Sequence, residues 1–316
     1  MLEKKLEKKL EKKLEKKLEK KLEKNREVFW HFLALFVVIV WGTTLASTKV
    51  LLADMSPIQI LLYRSLFAYG LLFAMSPRLQ TFSSAKNEVL YFLSGLCGIT
   101  LYFLLENTAL LYTYSSNAAL LVTASPLFTV LIASFIIKTH AFSKLLLIAC
   151  VMALVGVALV LANQPMSLTN GMLGNILAIL SGLAWSFFGF ANSAIKDELS
   201  PIVRMRKVFL YGIITASLYM LVTGEAFINL HAFTPMNLAN LLFLGGIASA
   251  LCFVLWTNAN KHLGVVKTSL YIYFIPLIAV LLGVVLLGET ITIATMLGGI
   301  LIALAVFLAN YKKSVS

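Results

Sequence analysis

Charge is what this sequence has little of. Only 13% of its 316 residues are Asp, Glu, Lys or Arg, while 60% are hydrophobic. A soluble domain averages about 25% charged and about 45–50% apolar residues. A chain this apolar cannot hide its surface in a water-soluble fold of this length, so lipid must be the solvent for much of it. Cysteine is scarce as well. Cys97, Cys150 and Cys252 all lie inside apolar runs. An odd number, with no pair in a polar loop, excludes a disulfide framework and reads as packed thiols. The four His form no metal-ligand spacing with them. There is no G-x-x-x-x-G-K-S/T phosphate loop, and no soluble domain, which argues against an ATP-driven pump. Nor is there a cluster of His, Asp or Cys, or a Ser/His dyad. The chain is therefore read as not an enzyme, with no cofactor and no metal.

What charge there is has a pattern. The formal net charge is +12, and the first 24 residues hold 11 Lys and 6 Glu of it. Residues 2–21 are five copies of Leu-Glu-Lys-Lys, and a sixth begins at Leu22. The composition favours helix, but a period of four drifts about 40° per repeat around an α-helix and makes a poor coiled-coil seam. Residues 1–27 are read as a basic low-complexity cytoplasmic tail. It either touches anionic lipid as an amphipathic helix or has no specific role. It lacks the apolar core of a signal peptide. Elsewhere Lys and Arg punctuate apolar segments, the pattern of membrane topology and not of a nucleic-acid-binding face.

A helix needs about 20 apolar residues to cross a bilayer. Ten such runs are present, near 29–50, 57–76, 88–111, 115–137, 143–162, 170–193, 205–224, 236–260, 265–287 and 292–311. Placing the N-terminus in the cytoplasm puts Arg78, Lys86, Lys138, Lys144, Lys196, Arg204, Arg206, Lys207, Lys261 and Lys267 inside, followed by Lys312 and Lys313. The outer loops then hold no Lys or Arg, and only Lys49 lies near an outer end. This asymmetry predicts an inner-membrane protein with both termini cytoplasmic.

The two halves resemble each other. Trp41 and Trp185 each stand 16 residues before the proline of a Ser-Pro pair, Ser56-Pro57 and Ser200-Pro201. Ala109 and Ala259, in Asn107-Thr108-Ala109 and Thr257-Asn258-Ala259, each stand 17 residues before a mid-helix proline, Pro126 and Pro276. Five spans per half is an odd number, so the second half enters the membrane upside down. The expected fold is all-α, ten transmembrane helices in two inverted five-helix repeats, 28–163 and 170–312. Inverted repeats place a binding site near the midplane and let it open alternately to each side.

The order of Trp41-Gly42, Lys49, Ser56-Pro57, Arg64, Glu106-Asn107-Thr108-Ala109-Leu110, Pro126, Trp185, Ser200-Pro201, Pro276, Gly288-Glu289 and Gly298-Gly299 resembles the drug/metabolite transporter superfamily in its EamA-type branch. The resemblance covers residues 30 to 311. It implies two inverted five-helix repeats around a central cavity, small metabolites such as amino acids as substrates, often moved outward, and in many members proton coupling. One departure stands out: the first half has Lys138-Thr139-His140-Ala141-Phe142 where the second keeps Gly288-Glu289. That favours a turn-and-cap role for the pair.

Arg64 and Glu106 fall inside the expected spans, where each costs about 2.5–3.5 kcal/mol on insertion scales. Both lie about 8–10 Å below the outer surface at 1.5 Å per residue, so an ion pair between them is geometrically possible. Glu106 is read either as a cavity group that exchanges a proton or binds a substrate ammonium, or as half of a permanent structural pair. Arg64 is read as its partner, or as a carboxylate ligand. Trp41, Tyr102, Trp185, Trp256, Tyr271, Tyr273, Asn107, Asn117, Asn192 and Asn258 are further substrate candidates, each with packing or an interhelical hydrogen bond as its plain alternative. His31 and His262 sit at span ends and read as interfacial. Pro126 and Pro276 each remove a backbone hydrogen bond and are expected kinks. The expected function is a secondary-active exporter or exchanger of small polar metabolites. The rival is a membrane scaffold or lipid-handling protein without solute transport.

Overall fold

The computed structural model describes residues 2–77, 82–138, 144–162, 171–288 and 291–310, with 2–26 as backbone alone. Among the described residues the chain is helical and has no strand. Eight segments are long and apolar enough to cross a membrane: Glu27–Leu51, Pro57–Met75, Ala85–Tyr112, Ser115–Phe135, Gly171–Ala194, Pro201–Thr223, Pro235–Leu263 and Lys267–Leu286. The first belongs to α1 (Leu2–Leu51), which is continuous with the Lys-rich tail. α2 is Pro57–Met75. The third comprises α3 (Ala85–Gly95), a π-helical turn Leu96–Leu101 and α4 (Tyr102–Tyr112). The fourth is α5 (Ser115–Val122) and α6 (Ser125–Phe135). α7 (Lys144–Ala162) is a further apolar helix. α8 (Gly171–Ala194) and α9 (Pro201–Thr223) follow. Then come α10 (Pro235–Leu242), a π-helical turn Phe243–Leu251 and α11 (Cys252–Leu263). α12 (Val265–Ser269), a 3-10 turn Leu270–Tyr273 and α13 (Phe274–Leu287) make the eighth segment. α14 (Ile293–Asn310) is the last helix among the described residues and packs on α7.

The Ser-Pro pairs start helices. Ser56 accepts from the Gln59 amide, the Gln59 side chain returns to the Ser56 amide at 3.1 Å, and Pro57 takes a position that needs no N–H. Ser200-Pro201 opens α9 in the same way, with Ser200 accepting from Val203. α9 thus begins at Pro201 and not at the expected 205, because its early cations are accommodated. Lys207 pairs with Glu88 of α3, Arg206 donates to the Ser76 carbonyl, and Arg204 meets Asp197 at 3.0 Å.

Two features of the long helices repeat. The third and seventh segments both carry a π-helical turn, an irregularity often associated with function. Beside the first turn and within the second, a glycine lets backbones approach. A Cβ on Gly95 would lie 2.8 Å from the Val208 carbonyl oxygen of α9, and one on Gly245 would lie 2.8 Å from the Arg64 carbonyl oxygen of α2. The fourth and eighth segments, each expected as a single span kinked at its proline, are both interrupted. Thr123 and Ala124 separate α5 from α6, with Pro126 at the start of the latter. The 3-10 turn Leu270–Tyr273 precedes Pro276. Proline removes the donor that would have bridged each break.

Lys138 adopts a left-handed backbone, φ 58°, as Gly288 does at φ 64°. Glu289 and residues 139–143 of the other turn lie outside the described residues.

Candidate functional site

The segments converge on a cavity at the centre of the bundle. α1 contributes Trp41, Thr44 and Leu45, α2 contributes Arg64, and α4 contributes Tyr102, Phe103 and Glu106. Ala119, Val122 and Ser125 come from the α5–α6 break, and Ile272 and Ile275 from the α12–α13 break. Trp185 of α8 and Phe253 of α11 complete the wall. The cavity volume is about 30 Å³, far below the roughly 300 Å³ of the smallest ordinary ligand clefts.

The walls are aromatic. Trp41 and Trp185 meet edge to face with centroids 5.2 Å apart, and Phe103 and Phe253 stand 6.1 Å apart. Trp256 lies 5.0 Å from Trp41, behind the lining. The π turn Phe243–Leu251 sets two site residues. Its Ala248 carbonyl accepts the Trp41 indole N–H at 2.9 Å, and its Ser249 hydroxyl accepts Arg64 Nε and Nη2 at 3.1 and 3.0 Å. Ser249 stands 185 positions from Arg64, and no motif in the sequence marks it.

Arg64 is 1% exposed, and its guanidinium lies 3.8 Å from the centroid of the Phe103 ring, a cation–π distance. Its Nη1 has no hydrogen-bond partner, and neither has the Ser125 hydroxyl. Glu106 Oε1 accepts from the Tyr102 hydroxyl at 2.6 Å, one helical turn away. The geometrically possible ion pair between Arg64 and Glu106 is not a direct contact, although the two charges are close enough to act on each other. Ser249 and the Phe103 face hold the cation, Tyr102 holds the carboxylate, and both charges face the cavity.

Of the residues singled out in the sequence, the structure brings Trp41, Arg64, Tyr102, Glu106 and Trp185 together. Asn107 is turned to the Pro57 carbonyl at 3.1 Å and ties α4 to the start of α2. Asn258 bonds the Val254 carbonyl of its own helix, and Asn192 donates to Thr257. Asn117 is buried in α5 and is not on the cavity wall. Tyr271 pairs with His31 at 2.6 Å, and His262 stacks on Trp30 at 4.0 Å, both away from the cavity. The Tyr273 side chain lies outside the described residues. Pro126 and Pro276 stand beside the two breaks that wall the cavity. Among the described residues no three His, Cys, Asp or Glu converge as a metal site requires.

The EamA-like transporter family model matches residues 28–162 and again residues 172–311. A protein of Archaeoglobus fulgidus described as an uncharacterized transporter is 25% identical over 90% of this chain and 98% of its own length. A protein of Streptantibioticus cattleyicolor described as a probable terminal-alkyne amino-acid exporter is 24% identical over 72% of this chain and 75% of its own. A solved crystal structure superposes with a TM-score of 0.61 at 18% identity, covering 90% of this chain and 98% of that one, a likeness of fold. With two matches that together span most of its length, the chain belongs to the EamA-like transporter family.

Proposed function

We propose that this transporter is a secondary-active carrier of small zwitterionic metabolites, amino acids foremost, working by alternating access around the central cavity. One observation carries the reading. A buried cation with an unpartnered Nη1 and a carboxylate with a single hydroxyl partner face one aromatic chamber without pairing to each other. Leaving a buried donor unsatisfied costs about 1–3 kcal/mol, more for a charged group. A substrate carboxylate offsets that cost at Arg64 and Ser125, and a substrate ammonium or a proton does so at Glu106. The aromatic faces suit an ammonium or an apolar side chain. A scaffold has no use for such an arrangement. The amino-acid exporter named above supports the substrate class and an outward direction.

Alternating access rests on ten spans in two inverted halves, with both termini cytoplasmic in an inner membrane. Eight long segments are candidate spans, and the apolar helices α7 and α14 are counted as the other two in this reading. The inversion is supported by reciprocal contacts. Gly95 of the first half meets Val208 of the second, Gly245 of the second meets Arg64 of the first, and Trp41 meets its counterpart Trp185. An isologous two-fold relation has this form, residue i on j and j on i. The small cavity volume corresponds to a closed step of the cycle.

The test is counterflow into liposomes with a panel of labelled amino acids. Saturable exchange that an unlabelled competitor suppresses, lost in Glu106→Gln, supports the carrier. Uptake no faster than in empty vesicles across the panel sinks it.

A further inference from the structure

A second cavity of about 330 Å³ lies behind the same helix breaks, on the outside of the bundle. Leu120 and Thr123 of the α5 break and Pro276 of α13 form its floor, and Leu277, Met296 and Ile300 form its rim. The rim residues are exposed, while Leu120 and Thr123 are buried. Its size falls within the range of ordinary ligand clefts, about 300–1,000 Å³. Its polar content is slight: the Thr123 hydroxyl is turned to the Leu120 carbonyl at 2.5 Å, and Thr295 faces Thr292 at 3.4 Å. An apolar cavity of this kind does not hold water.

Length and depth identify the occupant. Along α14 the groove runs from Thr295 to Ala303, about 12 Å at 1.5 Å per residue, and Ile291 just before the helix lengthens it. One leaflet of hydrocarbon is about 15 Å deep, half of a core of about 30 Å. The groove begins at the end of α14 and ends near the middle of the membrane-crossing segments, so it traverses one leaflet and opens sideways where lipid tails lie. We infer that the groove between α5, α13 and α14 is a binding site for one acyl chain of a membrane lipid. The chain braces the two helix breaks from behind. Ala119, Val122 and Ile275 face the central cavity, and their neighbours Leu120, Thr123 and Pro276 face the groove. A movement of either break that opens the central cavity therefore changes the acyl-chain site. The inference rests on the reading of α14 as a membrane span, and it stands apart from the nature of the transported solute.

The test uses the full chain in phosphatidylethanolamine vesicles doped with a phosphatidylethanolamine whose acyl chain carries a photoactivated diazirine, followed by peptide mapping. The expected result is adducts on the floor, at Leu120, Thr123 or Pro276, and their loss in Ala303→Phe, whose ring fills the inner end of the groove. Ala303→Leu serves the same purpose with less added volume. Adducts confined to the rim in the wild-type protein overturn the inference, and that arm needs no variant. Floor labelling that persists unchanged in well-folded Ala303→Phe or Ala303→Leu overturns it too. So does cross-linking of a second copy through Met296→Cys with the floor unlabelled. The readout is labelling, so a failure of amino-acid transport leaves it intact.

Discussion

Replacing Arg64 by Met separates a structural cation from one held for a ligand. The guanidinium is buried, its protein hydrogen bonds go to Ser249 alone, and its face lies on Phe103. Methionine retains the length and the packing and removes the charge. Breaking a buried ion pair by deleting one partner costs about 3–5 kcal/mol, whereas replacing a whole buried pair by well-packed apolar groups is neutral or stabilising by about 1–4 kcal/mol. The exchange breaks no direct contact with a carboxylate and sheds the cation's own desolvation cost, but it removes the cation nearest Glu106 and the hydrogen bonds to Ser249. Because no direct ion pair is broken, Arg64→Met is expected to lose less than the roughly 3 kcal/mol of a broken buried pair in a heat-unfolding scan of the detergent-solubilised protein. Transport is expected to suffer. A hydrogen bond to a charged group is worth about 1.5–3 kcal/mol, so the substrate concentration for half-maximal counterflow rises about 10–150-fold. A variant destabilised by more than about 3 kcal/mol, with unchanged substrate affinity per folded molecule, would refute the reasoning.

Glu106→Gln keeps an acceptor for Tyr102 and should fold normally, while its transport loses both rate and pH dependence in liposome counterflow between mildly acidic and neutral medium. Trp41→Phe removes the hydrogen bond to the Ala248 carbonyl and is expected to cost about 0.5–1.5 kcal/mol, read as a lower midpoint of heat unfolding. Gly245→Ala sets a methyl 2.5 Å from the Phe67 Cβ and 2.8 Å from the Arg64 carbonyl oxygen. It should lose about 1–3 kcal/mol, and Gly95→Ala, its counterpart, a similar amount by the same scan. Lys138→Gly relieves a left-handed backbone at φ 58° and is expected to gain stability of about 1 kcal/mol, seen as a higher unfolding midpoint.

The membrane class and the two matched halves were legible because lipid imposes long apolar runs and each Ser-Pro pair starts a helix by local chemistry. The cavity was half legible. Arg64 and Glu106 stand out as charges inside apolar segments, and Trp41 and Trp185 stand out by matched spacing. Their arrangement was not. Which carboxylate or hydroxyl meets Arg64 depends on rotation and crossing of α2 against the Phe243–Leu251 turn, and nothing local encodes it. The π turns themselves were invisible, since they lie in unremarkable apolar sequence such as Leu96-Cys97-Gly98. Asn107 and Asn258 were ambiguous because an amide in a membrane helix can equally bond backbone, and here Asn107 bonds the Pro57 carbonyl of α2 and Asn258 the Val254 carbonyl of its own helix.

The central claim is that Arg64 and Glu106 hold opposite ends of one zwitterion. Competition against counterflow of a transported amino acid tests it most directly, using that amino acid, its methyl ester and its N-acetyl derivative. The account predicts that only the free zwitterion competes well, with the ester regaining ground relative to it in Arg64→Met. Equal competition by all three in the wild-type protein would contradict the account.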